Sequence, residues 1–423
     1  MRLASFLRRR PAAFVFGFPA LAGCAGGEQQ PDVSFARRDI AAHAYYDPQP
    51  VGTYPASEER INGWINAGQI DSIRAHAWDL WASMNIMVND STPTWQTFYS
   101  GHEIFDLAPS PATGTRPGHM RLPLERFRQL HHAFLGVPVA MRGRIPRDPA
   151  EQVFGFNRYS RSTANYIWDN KLNGSGIIYL TNLLMIADSV PLADREILVS
   201  PDSTDPLSIV TKPVFQFIPS DRPSPIPYWR GYTSADTRTD VMFDTLHPPP
   251  RYWKQGVIVD PTGKLQPGDS VFMAPNDSVP PVWLKVVPLS SFYHITVTAA
   301  DSANLSQFAS TLSGDDMGAM ADTSGQAVIA AARPGAIGLL VAMHVTGKEI
   351  PNWTWQTFWW SPYPMDPHFG ADRPKTIPSP WNNYNMNFAY TMTNPDGSPR
   401  VAFNPYLETN LNGRFPTDTS ARW

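Results

Sequence analysis

A single cysteine in 423 residues excludes a disulfide framework, a Cys-based zinc site and an iron–sulfur cluster. It also means that no C-x-x-C-H motif exists, so covalent c-type haem is not supported. Charge is scarce, at 17% of residues, and neither sign dominates: 34 Lys and Arg face 37 Asp and Glu, for a net charge of −3. Such a chain lacks the basic footprint of a nucleic-acid binder. No stretch reaches the ~18 apolar residues of a spanning helix. A hydrophobic fraction of 42% argues against a disordered polyampholyte. The 43 prolines disfavour long helices, because Pro lacks an N–H and breaks helix interiors. The expected molecule is therefore rich in loops and strands, with enough length to bury a core unaided.

The first 24 residues read as an address. Arg8, Arg9 and Arg10 form a positive region, Ala12 to Leu21 a short apolar one, and Leu21-Ala22-Gly23-Cys24 follows. That ending resembles the lipobox of bacterial lipoproteins, which implies cleavage before Cys24 and a lipid on its sulfur. Residues 1–23 are thus expected to be a signal peptide, residues 24–55 the lipidated Cys and a flexible tether, and residues 56–423 a single large domain. Loss of the signal peptide leaves 30 Lys and Arg against 37 Asp and Glu, a mature charge of −7. Ala25, in place of an Asp, favours the outer membrane. The expected location is the cell envelope, facing the periplasm, with the membrane as a partner through the Cys24 lipid.

Hydrophobic spacing divides the domain. Residues 56–190 carry helical signals: Ile61, Trp64 and Ile65 share one stripe, and Ile73, Ala77, Leu80, Trp81 and Met84 another, with Asp71 as cap after Gly68. Residues 123–135, 160–172 and 176–187 also read as helices. From 191 the pattern turns to strands, at 207–218, 282–289, 291–298, 337–346 and 353–360. The last two, joined by Gly347-Lys348-Glu349-Ile350-Pro351-Asn352, suggest a hairpin. Residues 219–280 and 361–382 read as long Pro-rich loops, which are often functional. The expected class is α+β, a helical N-terminal half packed on a largely antiparallel, sandwich-like C-terminal half. Thr94-Trp95-Gln96-Thr97-Phe98 recurs as Thr354-Trp355-Gln356-Thr357-Phe358 without matching flanks, which suggests two similar strands or coincidence.

Several blocks together resemble a group of bacterial secreted proteins. They are His76-Ala77-Trp78-Asp79-Leu80-Trp81, Lys212-Pro213-Val214-Phe215-Gln216, Ser291-Phe292-Tyr293-His294, Val341-Ala342-Met343-His344-Val345-Thr346 with Glu349-Ile350, Asn352 through Trp360, and Phe403-Asn404-Pro405-Tyr406-Leu407-Glu408. The resemblance implies an envelope location and a shared architecture, without a reaction. Some members carry a cytochrome c label, which the missing C-x-x-C-H does not support here.

The aromatics are the strongest chemical signal. Trp353, Trp355 and Trp359 alternate onto one face of their strand, with Phe358 and Trp360 on the other. Trp combines a large apolar face with one N–H, which suits a sugar platform and equally a strand core. Trp95, Lys212, Gln216, His294, His344 and Gln356 are the further candidates to line such a site. His76, His294 and His344 are candidate metal ligands if they converge, although no short His spacing supports that. Glu103, Glu408 and His344 are candidate catalytic groups, with Glu349 beside them, since a carboxylate pair could serve hydrolysis. No G-x-S-x-G elbow or phosphate loop is present. The leading expectation is a lipoprotein that binds a small molecule or glycan at an aromatic-lined site. The alternatives are a periplasmic hydrolase using carboxylates or a His-bound metal, and an interaction or accessory protein of a periplasmic redox system.

Overall fold

The computed structural model describes residues 45–89, 91–105, 153–170, 172, 185, 208–230, 253–275, 279–303, 331–351, 353–391, 402 and 404–407. These lie in one compact unit, Ala41–Trp423. The helices expected at 123–135 and 176–187 lie outside the described residues, apart from helical Met185.

The helical signals before 100 form two helices, α1 (Glu58–Asn66) and α2 (Ile70–Met84). Ser57 caps α1 by accepting from the Arg60 N–H at 3.3 Å, and Glu58 and Glu59 favour the positive end of its dipole. Gly68, at φ 63°, ends it in a Schellman turn: Gln69 N–H donates to the Trp64 carbonyl at 2.8 Å and Gly68 N–H to Ile65 at 3.1 Å. Helix α2 starts at once, with Gln69 rather than Asp71 at its cap. Two short helices follow, α3 (Gly101–Phe105) and α4 (Arg161–Asp169), the latter capped by Ser160.

The strands are β1 (Met87–Asn89), β2 (Thr92–Pro93), β3 (Tyr99–Ser100), β4 (Val153–Gly155), β5 (Arg158–Tyr159), β6 (Ile209–Ile218) and β7 (Ser224–Pro227). After them come β8 (Gly256–Val259), β9 (Ser270–Met273), β10 (Val282–Val287), β11 (His294–Thr296), β12 (Ile337–Gly347), β13 (Thr354–Trp360) and β14 (Tyr384–Ala389). The main sheet runs β14-β13-β12-β6-β5-β3, with β11 added to β12 and β4 to β6, and every pairing in it is antiparallel. The expected hairpin is present, with Gly347 opposite Thr354. A second sheet, β7-β8-β10-β9, contains one parallel pair, β8 with β10. One hydrophobic core joins α1, α2, the main sheet and Ile226, Val257 and Val259 of the second sheet. The class is α+β with a sandwich-like sheet arrangement.

Two expectations need correction, and the alternatives for the repeated pentapeptide resolve to coincidence. Strands β7, β8 and β9 lie within 219–280, where proline density predicts a loop. Pro residues hid β7: Pro225 and Pro227 alternate with Ser224 and Ile226 in a four-residue strand at the end of its sheet. Residues 45–55, expected in the tether, are built into the domain: Tyr54 is buried and Tyr45 stacks between Phe98 and Tyr99. The repeated pentapeptide forms a 3-10 turn at Thr94–Thr97 and a strand in β13.

Candidate functional site

The antiparallel register aligns residues across the main sheet in rows that share a face. One row is Lys212, His344, Thr357 and Asn387; its neighbour is Val210, Thr346, Trp355 and Ala389. Strand β12 is buried along its length except at His344. Strand β6 is part-exposed only at Val210 and Lys212, β13 is exposed only at Trp355, and β14 is part-exposed only at Asn387 and Ala389. The breaks in burial on four adjacent strands therefore coincide in two neighbouring rows. Three strand spacings put Lys212 ~14 Å from Asn387, with His344 open between them and Thr357 buried under Asn404. Trp355 stands at its edge, 50% exposed.

Ordered aromatic segments flank the window. Asn404 donates from Nδ2 to Thr357 Oγ1 at 2.8 Å and to the Phe358 carbonyl at 2.9 Å, while its Oδ1 accepts from Tyr406 N–H at 3.0 Å. The Asn404 side chain thus fixes a turn and pins it to β13. Tyr406 then donates to the Pro227 carbonyl at 3.2 Å and meets Trp253 edge-on. Trp359, one row beyond Thr357, is buried against Trp229 and Phe369. Of the expected site residues, Lys212, His344 and Trp355 come together here, and Trp359 is the buried floor next to them. Asn387 and Thr357 were missed in the sequence, although Tyr384, Met386 and Phe388 alternate with Asn385 and Asn387 as a half-buried strand should.

The other candidates lie elsewhere. Gln356 points to the opposite face of β13, the α2 side. There Gln356 Nε2 donates to the Tyr390 hydroxyl at 2.9 Å, which lies 2.5 Å from His76 Nδ1. His76 Nε2 meets Glu349 Oε1 at 3.0 Å, and the Ala56 N–H donates to the same oxygen at 3.0 Å. With its proton on Nε2, His76 donates to Glu349 and accepts from Tyr390, so the chain of bonds runs in one direction. His76 is 0% exposed and Glu349 2%, which leaves no path for a substrate. Burial, with the Glu349 carboxylate added, holds the Tyr54 and Tyr390 hydroxyls well above their ordinary range. The network fastens α2 to the sheet.

Trp95 is buried and donates to Asn85 Oδ1 at 3.1 Å, beside the end of α2. Glu103 forms a capping box: Ser100 N–H donates to Glu103 Oε2 at 2.7 Å, and Glu103 N–H to Ser100 Oγ at 3.0 Å. That carboxylate therefore serves α3 rather than a cleft. Gln216 is buried in β6 opposite Leu339 and Val153. Trp353 precedes β13 at φ 63°, half-buried under the Lys348 ammonium, so it does not continue the face of Trp355. Glu408 lies outside the described residues.

The three histidines do not converge. Exposed His294 pairs with Leu339 on β12, five residues from His344, a separation of ~17 Å along the strand. His76 lies on the other face of the sheet. Among the described residues, no group of three or more His, Cys, Asp or Glu side chains could hold a metal ion. Compared with known proteins, the chain matches no family model, no curated protein and no solved structure.

Proposed function

We propose that this chain is a lipid-anchored protein of the bacterial envelope that binds a glycan at the window around His344 and Trp355. One observation carries the reading: the exposed positions of β6, β12, β13 and β14 fall together in adjacent rows, on strands otherwise buried. The chemistry suits a sugar. The Trp355 ring offers a face for the apolar side of a pyranose, while Lys212, His344 and Asn387 offer polar groups for its hydroxyls. Glu103 and Glu349 are engaged elsewhere, which favours binding over carboxylate hydrolysis. The lipid anchor rests on Leu21-Ala22-Gly23-Cys24.

The test is tryptophan fluorescence titration with a panel of neutral and acidic oligosaccharides and soluble peptidoglycan fragments. At least one should give a saturable change. Trp355→Ala should weaken it by about tenfold or more, the equivalent of one stacked ring. His344→Ala should weaken it too. No saturable ligand, or a ligand indifferent to both substitutions, overturns the proposal.

A further inference from the structure

Strands β9 and β10 carry the largest exposed aromatics of the second sheet. Phe272 is 60% exposed and Trp283 70%, and they are cross-strand neighbours with ring centroids 5.4 Å apart. Lys285 and Ser270 form the next pair on the same face, and both are exposed. Behind this face, Leu284 and Val286 are buried with Ile258, and Val271, Met273 and Val282 pack against them. The inward residues therefore already give the hairpin its core, and the outward aromatics add nothing to it. On the outward face Lys285 pairs with Val257 of β8, which is buried in the main core. At β10 and β9 that cover ends, and the apolar face projects as a ledge.

We propose that this ledge docks onto the phospholipid bilayer, with Phe272 and Trp283 entering the interfacial layer. The inference rests on the lipid-anchor reading above. Cys24 lies 21 positions before Tyr45, the first described residue, so a lipid on Cys24 holds the domain within ~75 Å of the bilayer. Any face able to enter the interface then meets it at high effective concentration. Trp and Phe favour that layer, and the two rings are tilted at 52°, which fits insertion better than a flat sugar platform. The mature charge of −7 makes apolar insertion, rather than attraction to anionic lipid, the source of contact.

The test uses the full chain with its own leader, produced in a bacterial host and reconstituted into phosphatidylcholine vesicles whose acyl chains carry a nitroxide quencher. With Cys24 acylated, Phe272→Cys supplies the one thiol that takes an environment-sensitive fluorophore. Its emission should shift to the blue and fall by about half or more through the lipid-borne quencher. The same label on Met87→Cys, exposed on β1, should not respond. Trp283→Ser should reduce the Phe272-site quenching.

A label left unquenched in an acylated chain overturns the docking face and leaves the anchor standing. Shielding that grows with protein concentration in detergent, without lipid quenching, assigns the ledge to a second copy and overturns the proposal. Fatty-acid incorporation at Cys24 is scored separately. Its absence refutes the anchor, and quenching of the Cys24→Ser, Phe272→Cys chain by added vesicles would then support the ledge alone.

Discussion

Replacing Tyr390 by Phe removes one oxygen from the buried chain that joins α2 to the sheet. The hydroxyl sits between His76 Nδ1 and Gln356 Nε2, at 2.5 and 2.9 Å. Its loss leaves an imidazole lone pair and an amide N–H without their partner, in a region where His76, Gln356 and Tyr390 are all buried. Each stranded group costs roughly 1–3 kcal/mol, so the substitution should destabilise the fold by ~2–6 kcal/mol. The space vacated is a single oxygen, so cavity formation adds little. Guanidinium unfolding, followed by tryptophan emission, reads the cost as a fall in midpoint at constant slope. Gln356→Leu in the same chain removes the stranded donor, so the double variant should cost less than the sum of the singles by about 1 kcal/mol or more. Tyr384→Phe is the comparison, because that buried hydroxyl donates to a backbone carbonyl, Leu340 at 2.8 Å, and joins no imidazole or side-chain amide. A cost for Tyr390→Phe below ~0.5 kcal/mol, or strict additivity with Gln356→Leu, would show that the network does not fasten the helix.

Glu103→Ala should cost about 1 kcal/mol by opening the capping box of α3, and should leave glycan titration unchanged; a specific loss of ligand binding would return Glu103 to the site. Stability should fall on the alkaline side. Burial raises the hydroxyl pKa of Tyr54, Tyr384, Tyr390 and Tyr406, so above pH ~10 the unfolded chain loses protons that the folded chain keeps. Each such tyrosine contributes a loss of about 1.4 kcal/mol per pH unit, and a flat profile to pH ~12 refutes their burial. At the acid end, burial alone would raise the Asp372 carboxyl, but the Arg74 guanidinium and the Trp78 N–H hold it below its usual range. The stability gap between wild type and Asp372→Asn should be complete above pH ~4 and close as the pH falls through the depressed pKa.

Periodicity made the framework legible. The apolar stripes of α1 and α2 each satisfy one helical period, the apolar and aromatic runs of β6, β12 and β13 read as strands largely buried on both faces, and the hairpin follows from a short polar link. Strand β7 was hidden because its prolines read as loop, while β8 and β9 have only four residues each. The candidate site was half legible. His344, Lys212 and Trp355 stand out in the sequence as residue types, but register across four strands decides which residues stand beside them. Lys212 and His344 are 132 positions apart, and nothing local in either block says that they face each other. The buried Glu349–His76 pair illustrates the same limit from the other side. Both residues looked chemical in the sequence, and long-range packing turned them into a fastening.

The two copies of Thr-Trp-Gln-Thr-Phe separate what letters encode from what position confers. All five residue types suit a strand or tolerate it, and the copy in β13 is one, hydrogen-bonded to β12 and β14 on its two sides. The first copy follows Pro93, which has no N–H to give a ladder, and the described strands before and after it, β2 and β3, have two residues each. There Thr94 Oγ1 donates to the Ile86 carbonyl at 3.0 Å and Thr97 Oγ1 to the Thr94 carbonyl at 2.8 Å, so the side chains satisfy the backbone and a 3-10 turn results. The consequence reaches the tryptophans. Trp95 turns inward, with its N–H on Asn85, whereas Trp355 falls on the open row of the sheet. A ligand can stack on only one of these two identical pentapeptides, and the choice is made by strand register rather than by the motif.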